Sequence, residues 1–152
     1  MKLTQNILVA TDFSKASELA LDATRILALQ NDAKVTLAHV FDPRPPLSVL
    51  PGGDVGEASA HEKDLRERIH AELVRLREEK LGDVAHAKVA VVASNSAADG
   101  ICRYAEKENV DMIVLSTHGR TGISHLLIGS VAEKVVRHAT CPVLTLRSKA
   151  RD

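Results

Sequence analysis

The feature that most constrains the fold of this chain is an alternation of short apolar runs with segments of helical period. Several of the runs are almost continuously apolar, which is typical of parallel strands that are covered on both faces. We interpret five runs as strands: Ile7–Thr11, Val35–Val40, Val89–Ala93, Met112–Ser116 and Val143–Leu146. The segments between the runs predict helices, because their apolar residues recur three or four positions apart.

Four segments carry this helical period. Their apolar positions are Ala16, Leu19, Ala20, Ala23, Ile26 and Leu27 in the first, Leu65, Ile69, Leu73 and Leu76 in the second, Ala98, Ile101, Cys102 and Ala105 in the third, and Ala132, Val135, Val136 and Ala139 in the fourth. The alternation predicts an α/β fold, namely a single-domain, doubly wound (Rossmann-like) five-stranded parallel sheet with helices on both faces. In such a sheet a ligand binds beyond the carboxyl ends of the strands, where the strand order reverses.

The length and charge of the chain narrow the classes of function. A chain of 152 residues can bury a real core, and we expect one domain over residues 1–152. The formal net charge is zero and basic residues are interspersed with acidic ones, so no partner nucleic acid or acidic membrane is predicted. The apolar run before Asp12 is too short for a signal peptide, and nothing in the sequence resembles a membrane span, so we expect a cytoplasmic protein.

Residues Asp42–Ala60 do not fit the alternation. They contain four of the five prolines and three of the eight glycines of the chain. This composition predicts a mobile surface insertion between the second strand and the charged helix. Two interpretations are open: a tolerated loop without function, or a flap over a ligand, since the segment leaves the carboxyl end of a strand.

Cysteine and histidine spacing gives no sign of a metal centre or a catalytic group. Cys102 and Cys141 lie far apart without a CxxC motif, and we expect two buried or half-buried free thiols. The seven histidines contain no HxxH or HxxxH pair, so no metal site built from protein side chains is predicted. No Ser/His/Asp or Cys/His arrangement is evident, so no catalytic residue is predicted.

The segment STHGRTGISHLLIGS, residues Ser116–Ser130, joins the fourth strand to the last helix. It matches neither the Walker pattern nor the GxGxxG pattern. In one interpretation, the amides of Gly119 and Gly129 and the Ser130 hydroxyl bind a phosphate, because the start of a helix favours an anion. In the other, Gly129 only turns the chain and Ser130 forms a capping box with Glu133.

Several stretches together carry a specific resemblance: ILVATDFS, AHVFD, VDMIVLSTHGRTG and CPVLTL. With them, Gly119, Gly129 and Ser130 reproduce the end of a motif that reads glycine, two residues, glycine, nine residues, then glycine followed by Ser or Thr. Over nearly its whole length the chain thus resembles the universal stress protein family, and the motif is that of the family's nucleotide-binding branch. Ser116 stands where the first glycine of the motif belongs.

The resemblance implies a site for ATP or ADP, with Mg²⁺ held mostly by phosphate oxygens and water. The residues implied at the adenosine are Ala10, Thr11, Asp12, Val40 and Ser116, and those implied at the phosphates are Gly119, Gly129, Ser130 and Val131. Arg120 could also reach a phosphate, and the alternative for it is a solvated side chain on an exposed loop. Asp12 would accept a hydrogen bond from a ribose hydroxyl or a nearby polar group. The alternative for Asp12 is a helix N-cap directly after the first strand, a role for which Ser14 competes.

The function implied is that of a universal stress protein that binds ATP or ADP and acts as a nucleotide-dependent regulatory switch in stress response, with at most slow ATP hydrolysis. The alternative is an interaction module that binds no nucleotide and acts through protein partners, with Ser116 as the mark of the loss. The resemblance also implies a homodimer through the C-terminal strand, residues 143–147, and regulatory protein partners of unknown identity.

Overall fold

The computed structural model describes residues 4–44, 55–118 and 129–147. These residues form one parallel sheet, whose strands are β1 (Asn6–Ala10), β2 (Lys34–Phe41), β3 (Ala87–Ala93), β4 (Met112–Ser116) and β5 (Val143–Leu146). The order across the sheet is β3-β2-β1-β4-β5. The chain therefore steps outward from β1 in one direction to β3 and then crosses to the other side of β1 with β4. The order reverses between β1 and β4, and the predicted fold class is confirmed.

Four helices cover the two faces of this sheet: α1 (Glu18–Asn31), α2 (Val55–Leu81), α3 (Ala97–Lys107) and α4 (Ser130–His138). One apolar core joins the sheet to α1 and α2, and a second core joins it to α3 and α4. Successive side chains of a strand point to opposite faces, so Ile7 and Val9 enter the first core and Leu8 the second. All three are fully buried, which explains why this run is continuously apolar.

The buried face of α1 differs from the predicted one. Leu19 and Ile26, two members of the predicted stripe, are 38% and 53% exposed, whereas Leu21 and Ala28 are buried. The buried residues of α1 are Ala20, Leu21, Thr24 and Ala28, so Ala20 of the predicted stripe is buried and the buried face also contains a polar residue. The sequence could not indicate this face exactly, because packing against the sheet, and not the apolar period alone, selects it.

Helix α2 begins earlier than its apolar stripe indicated. The helix starts at Val55, so the last six residues of the expected insertion Asp42–Ala60 are helical. Residues 45–54 lie outside the described part of the chain. Farther along α2, Ile69 and Leu73 are buried as predicted. Among the helices that the structure describes, none combines the length and the apolar character needed to cross a bilayer.

Candidate functional site

A cavity of about 300 Å³ opens at the carboxyl ends of β1 and β4, where the strand order reverses. Eight of the ten predicted site residues line it: Ala10, Thr11, Asp12, Val40, Ser116, Gly129, Ser130 and Val131. The other two, Gly119 and Arg120, lie outside the described residues. The topology and the resemblance thus indicated the same place in the sheet.

Thr11 follows β1 and its hydroxyl is engaged within the protein. Ser17 Oγ donates to the carbonyl oxygen of Ser14 at 2.6 Å, which uses the only proton of the Ser17 hydroxyl. In the 2.9 Å contact between Thr11 Oγ1 and Ser17 Oγ, the donor must therefore be Thr11. Thr11 Oγ1 also accepts from the backbone N–H of Phe13 at 3.0 Å. The Thr11 hydroxyl thus holds the loop that follows β1.

Asp12 stabilises the turn that precedes α1. Its Oδ1 accepts from the backbone N–H of Ser14 at 2.9 Å and from the Ser14 hydroxyl. Ser14 in turn is the N-cap of a short 3-10 helix, Lys15–Ser17, and its Oγ accepts from the backbone N–H of Ser17. Between Asp12 and Ser14, Phe13 has a φ of 63°, a conformation that residues other than glycine seldom adopt. The interpretation of Asp12 as the helix N-cap is wrong, because Ser14 has that role.

His39 is a cavity residue that sequence reasoning did not select. Its Nδ1 lies 2.8 Å from the carbonyl oxygen of Thr11. Because a carbonyl oxygen only accepts, Nδ1 carries the hydrogen and donates it. The imidazole ring also packs against the Phe13 ring, with 4.7 Å between the centroids. His39 therefore fixes the loop around Asp12 from the neighbouring strand β2.

The first turn of α4 forms the opposite wall of the cavity. Gly129 is the N-cap, with φ −64° and ψ 153°, and Ser130 is the first helical residue. The predicted capping box is therefore wrong: a capping box needs the hydroxyl residue at the N-cap, and the Glu133 carboxylate instead accepts from Arg137 Nη2 at 2.8 Å. Ser130 and Val131 lie in the first turn, whose N–H groups have no acceptor within the helix. Such a helix end attracts anions.

Gly129 is required by a close approach of two backbone segments. Its N–H donates to the carbonyl oxygen of Thr117 at 2.6 Å, so the amide that was predicted to bind a phosphate is used within the protein. A Cβ at this position would overlap the same carbonyl oxygen. Glycine here therefore allows the start of α4 to lie directly against the end of β4.

Ser116, the residue that replaces the first motif glycine, ends β4. Its Oγ donates to the carbonyl oxygen of His118 at 3.0 Å. The next backbone N–H, that of Thr117, donates to the carbonyl oxygen of Leu146 at 2.8 Å. The hydroxyl proton of Ser116 is thus used within the protein, while the residue itself lines the cavity.

The charges around the cavity are few. Among its described lining residues, Asp12 is the only carboxylate and there is no Lys or Arg. An anion here would be bound mainly by backbone amides and hydroxyls. The described part of the chain also contains no group of three His, Cys, Asp or Glu side chains that could hold a metal ion.

The predicted free thiols are confirmed. Cys102 and Cys141 are unpaired cysteines, and both are half-buried beside the second core. Burial raises the pKa of each thiol, so both are protonated at neutral pH. They lie outside the lining of the cavity.

The lining contains further residues that the sequence did not single out: Ser17, His39, Ala97, Ile101, Leu115, Thr117 and Ala132. Ala97 and Ile101 belong to the first turns of α3, and they reach the cavity because α3 packs on the same face as α4. The order of the elements could have indicated Ala97 and Ile101, since α3 begins just after the carboxyl end of β3, at the edge of the sheet where the ligand is expected. His39 and Leu115 likewise lie near the carboxyl ends of β2 and β4.

Known proteins resemble this chain over its full extent. Universal stress protein MJ0577 from Methanocaldococcus jannaschii is 30% identical over 155 residues, which cover 95% of this chain and 96% of that protein. Its solved structure matches with a TM-score of 0.80 and covers 99% of this chain and 100% of that one. Universal stress protein YxiE from Bacillus subtilis is 29% identical over 144 residues, which cover 93% and 97% of the two chains.

A universal stress protein solved in complex with cAMP has the same fold, with a TM-score of 0.69 at 20% identity, and covers 97% of this chain and 100% of that one. The model of the universal stress protein family matches residues 4–147. That match spans the sheet, all four helices and both walls of the cavity. The chain therefore belongs to the universal stress protein family.

Proposed function

We propose that this protein binds ATP or ADP in the cavity between β1 and β4 and acts as a nucleotide-dependent regulatory switch in stress response. The observation that carries the proposal is the first turn of α4, whose residues Ser130 and Val131 line the same cavity as Asp12. The helix start favours an anion, and Asp12 offers a carboxylate in the same cavity. A nucleotide has matching groups at its two ends.

The cavity also has an apolar part suited to a base. Ala10, Val40, Ile101 and Leu115 supply aliphatic surface from β1, β2, α3 and β4. In the proposed complex the base lies on this surface, and the Asp12 carboxylate accepts from a ribose hydroxyl. The phosphates extend towards the first turn of α4. A solved protein of the same fold holds a cyclic adenine nucleotide, which supports the choice of ligand class.

A divalent ion fits this arrangement only if the phosphates of the nucleotide supply most of its ligands. Asp12 is the only carboxylate among the described lining residues, and its Oδ1 already accepts two hydrogen bonds. Mg²⁺ would therefore be held mostly by phosphate oxygens and water. The same shortage of carboxylates disfavours rapid hydrolysis, because the described lining residues offer no second acidic group that could activate a water molecule. Turnover above about 1 s⁻¹, an ordinary enzyme rate, would contradict the switch.

The proposed switch acts through other chains. Strand β5 is an outer strand of the sheet, and its residues Val143–Leu146 are half-buried. We propose that two copies pair through this edge into a homodimer and that regulatory proteins recognise the nucleotide-bound form. An apolar sheet edge supports such pairing, since its outward N–H and C=O groups can add a strand.

The test is calorimetric titration with ATP and Mg²⁺, in the purified wild type and in the variant Ser130→Ala. Loss of one hydroxyl donor to a charged phosphate should weaken binding roughly tenfold or more. Adding Gly129→Val should abolish binding, because the new side chain forces α4 away from Thr117. Val136→Ala, an exposed change on the same helix, is the control and should bind like the wild type.

The alternative function, an interaction module without nucleotide, makes the opposite prediction. In that case the wild type binds neither ATP nor ADP at millimolar concentration, and Ser130→Ala changes nothing. Either of these results would sink the proposed nucleotide switch.

A further inference from the structure

We infer that Ser116, where the family motif has glycine, is a positioning residue for the nucleotide site. Its hydroxyl orders the chain that holds the first turn of α4 in place. This inference rests on the proposed function for its effect on binding, but its structural part concerns the protein without ligand. It opposes the simpler expectation that a side chain at this position only crowds the ligand.

The first step is the hydrogen bond made by the hydroxyl. Ser116 Oγ donates to the carbonyl oxygen of His118 at 3.0 Å, two residues along the chain. A glycine at position 116 would lack this bond and would also leave the backbone with more freedom to lose on folding. The serine therefore restricts the path by which the chain leaves β4.

The segment that leaves β4 is also held by hydrogen bonds of Thr117. Between Ser116 and His118 lies Thr117, whose N–H donates to Leu146 on β5 at 2.8 Å. Thr117 Oγ1 and His118 Nδ1 form a further hydrogen bond of 3.0 Å. The segment 116–118 is thus held from both sides, by its own side chains and by the adjacent strand.

Thr117 also connects this segment to the first turn of α4, where we propose that the phosphates bind. The carbonyl oxygen of Thr117 accepts the Gly129 N–H at 2.6 Å, so Thr117 fixes the N-cap of α4. The amides that we assign to the phosphates, those of Ser130 and Val131, follow that N-cap directly. The Ser116 hydroxyl acts on them through two backbone groups without contacting the phosphates itself.

The test compares Ser116→Ala, which keeps the Cβ but removes the hydroxyl, with Ser116→Gly, which removes both. Two quantities are measured: the affinity for ATP with Mg²⁺, and the exchange rate of the Gly129 amide hydrogen in the protein without ligand. We expect Ser116→Ala to bind ATP roughly threefold to tenfold more weakly, as for the loss of one hydrogen bond. We expect Ser116→Gly to bind no better than Ser116→Ala, and both variants to exchange the Gly129 amide faster than the wild type.

Three results would overturn the inference. Tighter binding by Ser116→Gly than by the wild type would show that crowding dominates. Weaker binding by Ser116→Ala with unchanged Gly129 exchange would mean that the hydroxyl contacts the ligand directly. Unchanged affinity with unchanged exchange would leave the hydroxyl without a role.

The control is the exchange rate of the Val110 amide hydrogen, which is bonded to the carbonyl oxygen of Ala105. This amide is remote from segment 116–118, and its exchange rate should stay constant. If the wild type itself binds no ATP, the proposed function fails. The Gly129 exchange rates still decide whether Ser116 positions α4, so the two failures are distinguishable.

Discussion

Hydroxyl groups around the cavity bind mainly to the protein itself. Thr11 donates to Ser17, Ser17 donates to the carbonyl of Ser14, and Ser116 donates to the carbonyl of His118. All three side chains belong to residues that line the cavity. Ser130 differs from them, because it is exposed at the first position of α4, where we expect its hydroxyl to donate to a phosphate. A small hydroxyl residue can thus either hold the wall of a site in place through internal hydrogen bonds or bind the ligand of that site.

One buried hydroxyl without a hydrogen bond allows a measurement of how much an unpaired polar atom lowers the free energy of unfolding. Thr24 on α1 is 0% exposed, and its Oγ1 has no hydrogen-bond partner within the described residues. Thr24→Val keeps the shape of the side chain and removes the unpaired polar atom. We expect it to raise the free energy of unfolding by about 1 kcal/mol in denaturant titrations.

Thr11→Val is the matched control, and we expect the opposite sign. It removes a hydroxyl that both donates to Ser17 and accepts from Phe13, so it should destabilise the fold. Equal effects of the two substitutions would contradict this account of buried hydroxyls.

At the scale of elements, helix ends show the same dependence on local chemistry. Helix α1 ends at Asn31, and its C-cap is Asp32, whose φ of 50° and ψ of 45° lie in the left-handed region. The N–H of Asp32 bonds back to the carbonyl of Ala28, as expected for a helix C-terminus. However, a carboxylate at this end opposes the helix dipole, whose C-terminal end is negative.

We therefore expect Asp32→Asn to stabilise the protein by about 0.3–1 kcal/mol at low ionic strength, because asparagine tolerates the same backbone conformation without the charge. Thermal unfolding at low salt and at 1 M salt checks the cause, since salt screens the dipole interaction. A gain that persists undiminished at high salt would rule out the electrostatic explanation.

The elements also show which parts of the structure the sequence can predict. Strands buried on both faces have continuous apolar runs, so the residues of β1 and β4 were identified almost to their ends. Periodicity was only partly right on α1, where Ala20 of the predicted stripe is buried but Leu19 is exposed and Leu21, outside the stripe, is buried. It also failed at the start of α2, because the first residues from Val55 carry no apolar stripe.

At the candidate site, the same limits apply. Topology and the family resemblance located Asp12 and Gly129 on the two walls of one cavity. The capping-box prediction failed because Ser130 fits the pattern equally well as the N-cap or as the first helical residue. His39 was missed because its role depends on the hydrogen bond to Thr11 across two strands, which no local pattern contains.

At the scale of the whole molecule, the proposed dimer depends on which groups of β5 point outward. The carbonyls of Pro142 and Leu146 accept from Ile113 and Thr117 of the neighbouring segment, so these residues face β4. Backbone groups of successive strand residues alternate in direction, and Thr145 therefore points its N–H towards the open edge.

We expect the wild type to be a dimer in dilute buffer and Thr145→Pro to be a monomer, as measured by light scattering. Proline removes only the outward N–H, and a strand edge tolerates it. Thr145→Val keeps that N–H and should remain dimeric. A monomeric wild type would contradict the proposed pairing, and a dimeric Thr145→Pro would place the contact elsewhere.

The hydrogen bond from the Thr117 N–H to the Leu146 carbonyl has a consequence that reaches beyond either residue. Because the carbonyl oxygen of the same Thr117 accepts from Gly129, this residue connects strand β5 to the start of α4 at the wall of the cavity. We therefore expect a partner that holds β5 to stabilise the position of Thr117, and a ligand that holds Thr117 to stabilise β5. We expect the proposed pairing at the sheet edge and the proposed binding in the cavity to change each other's free energy by the same amount, because thermodynamic linkage is reciprocal.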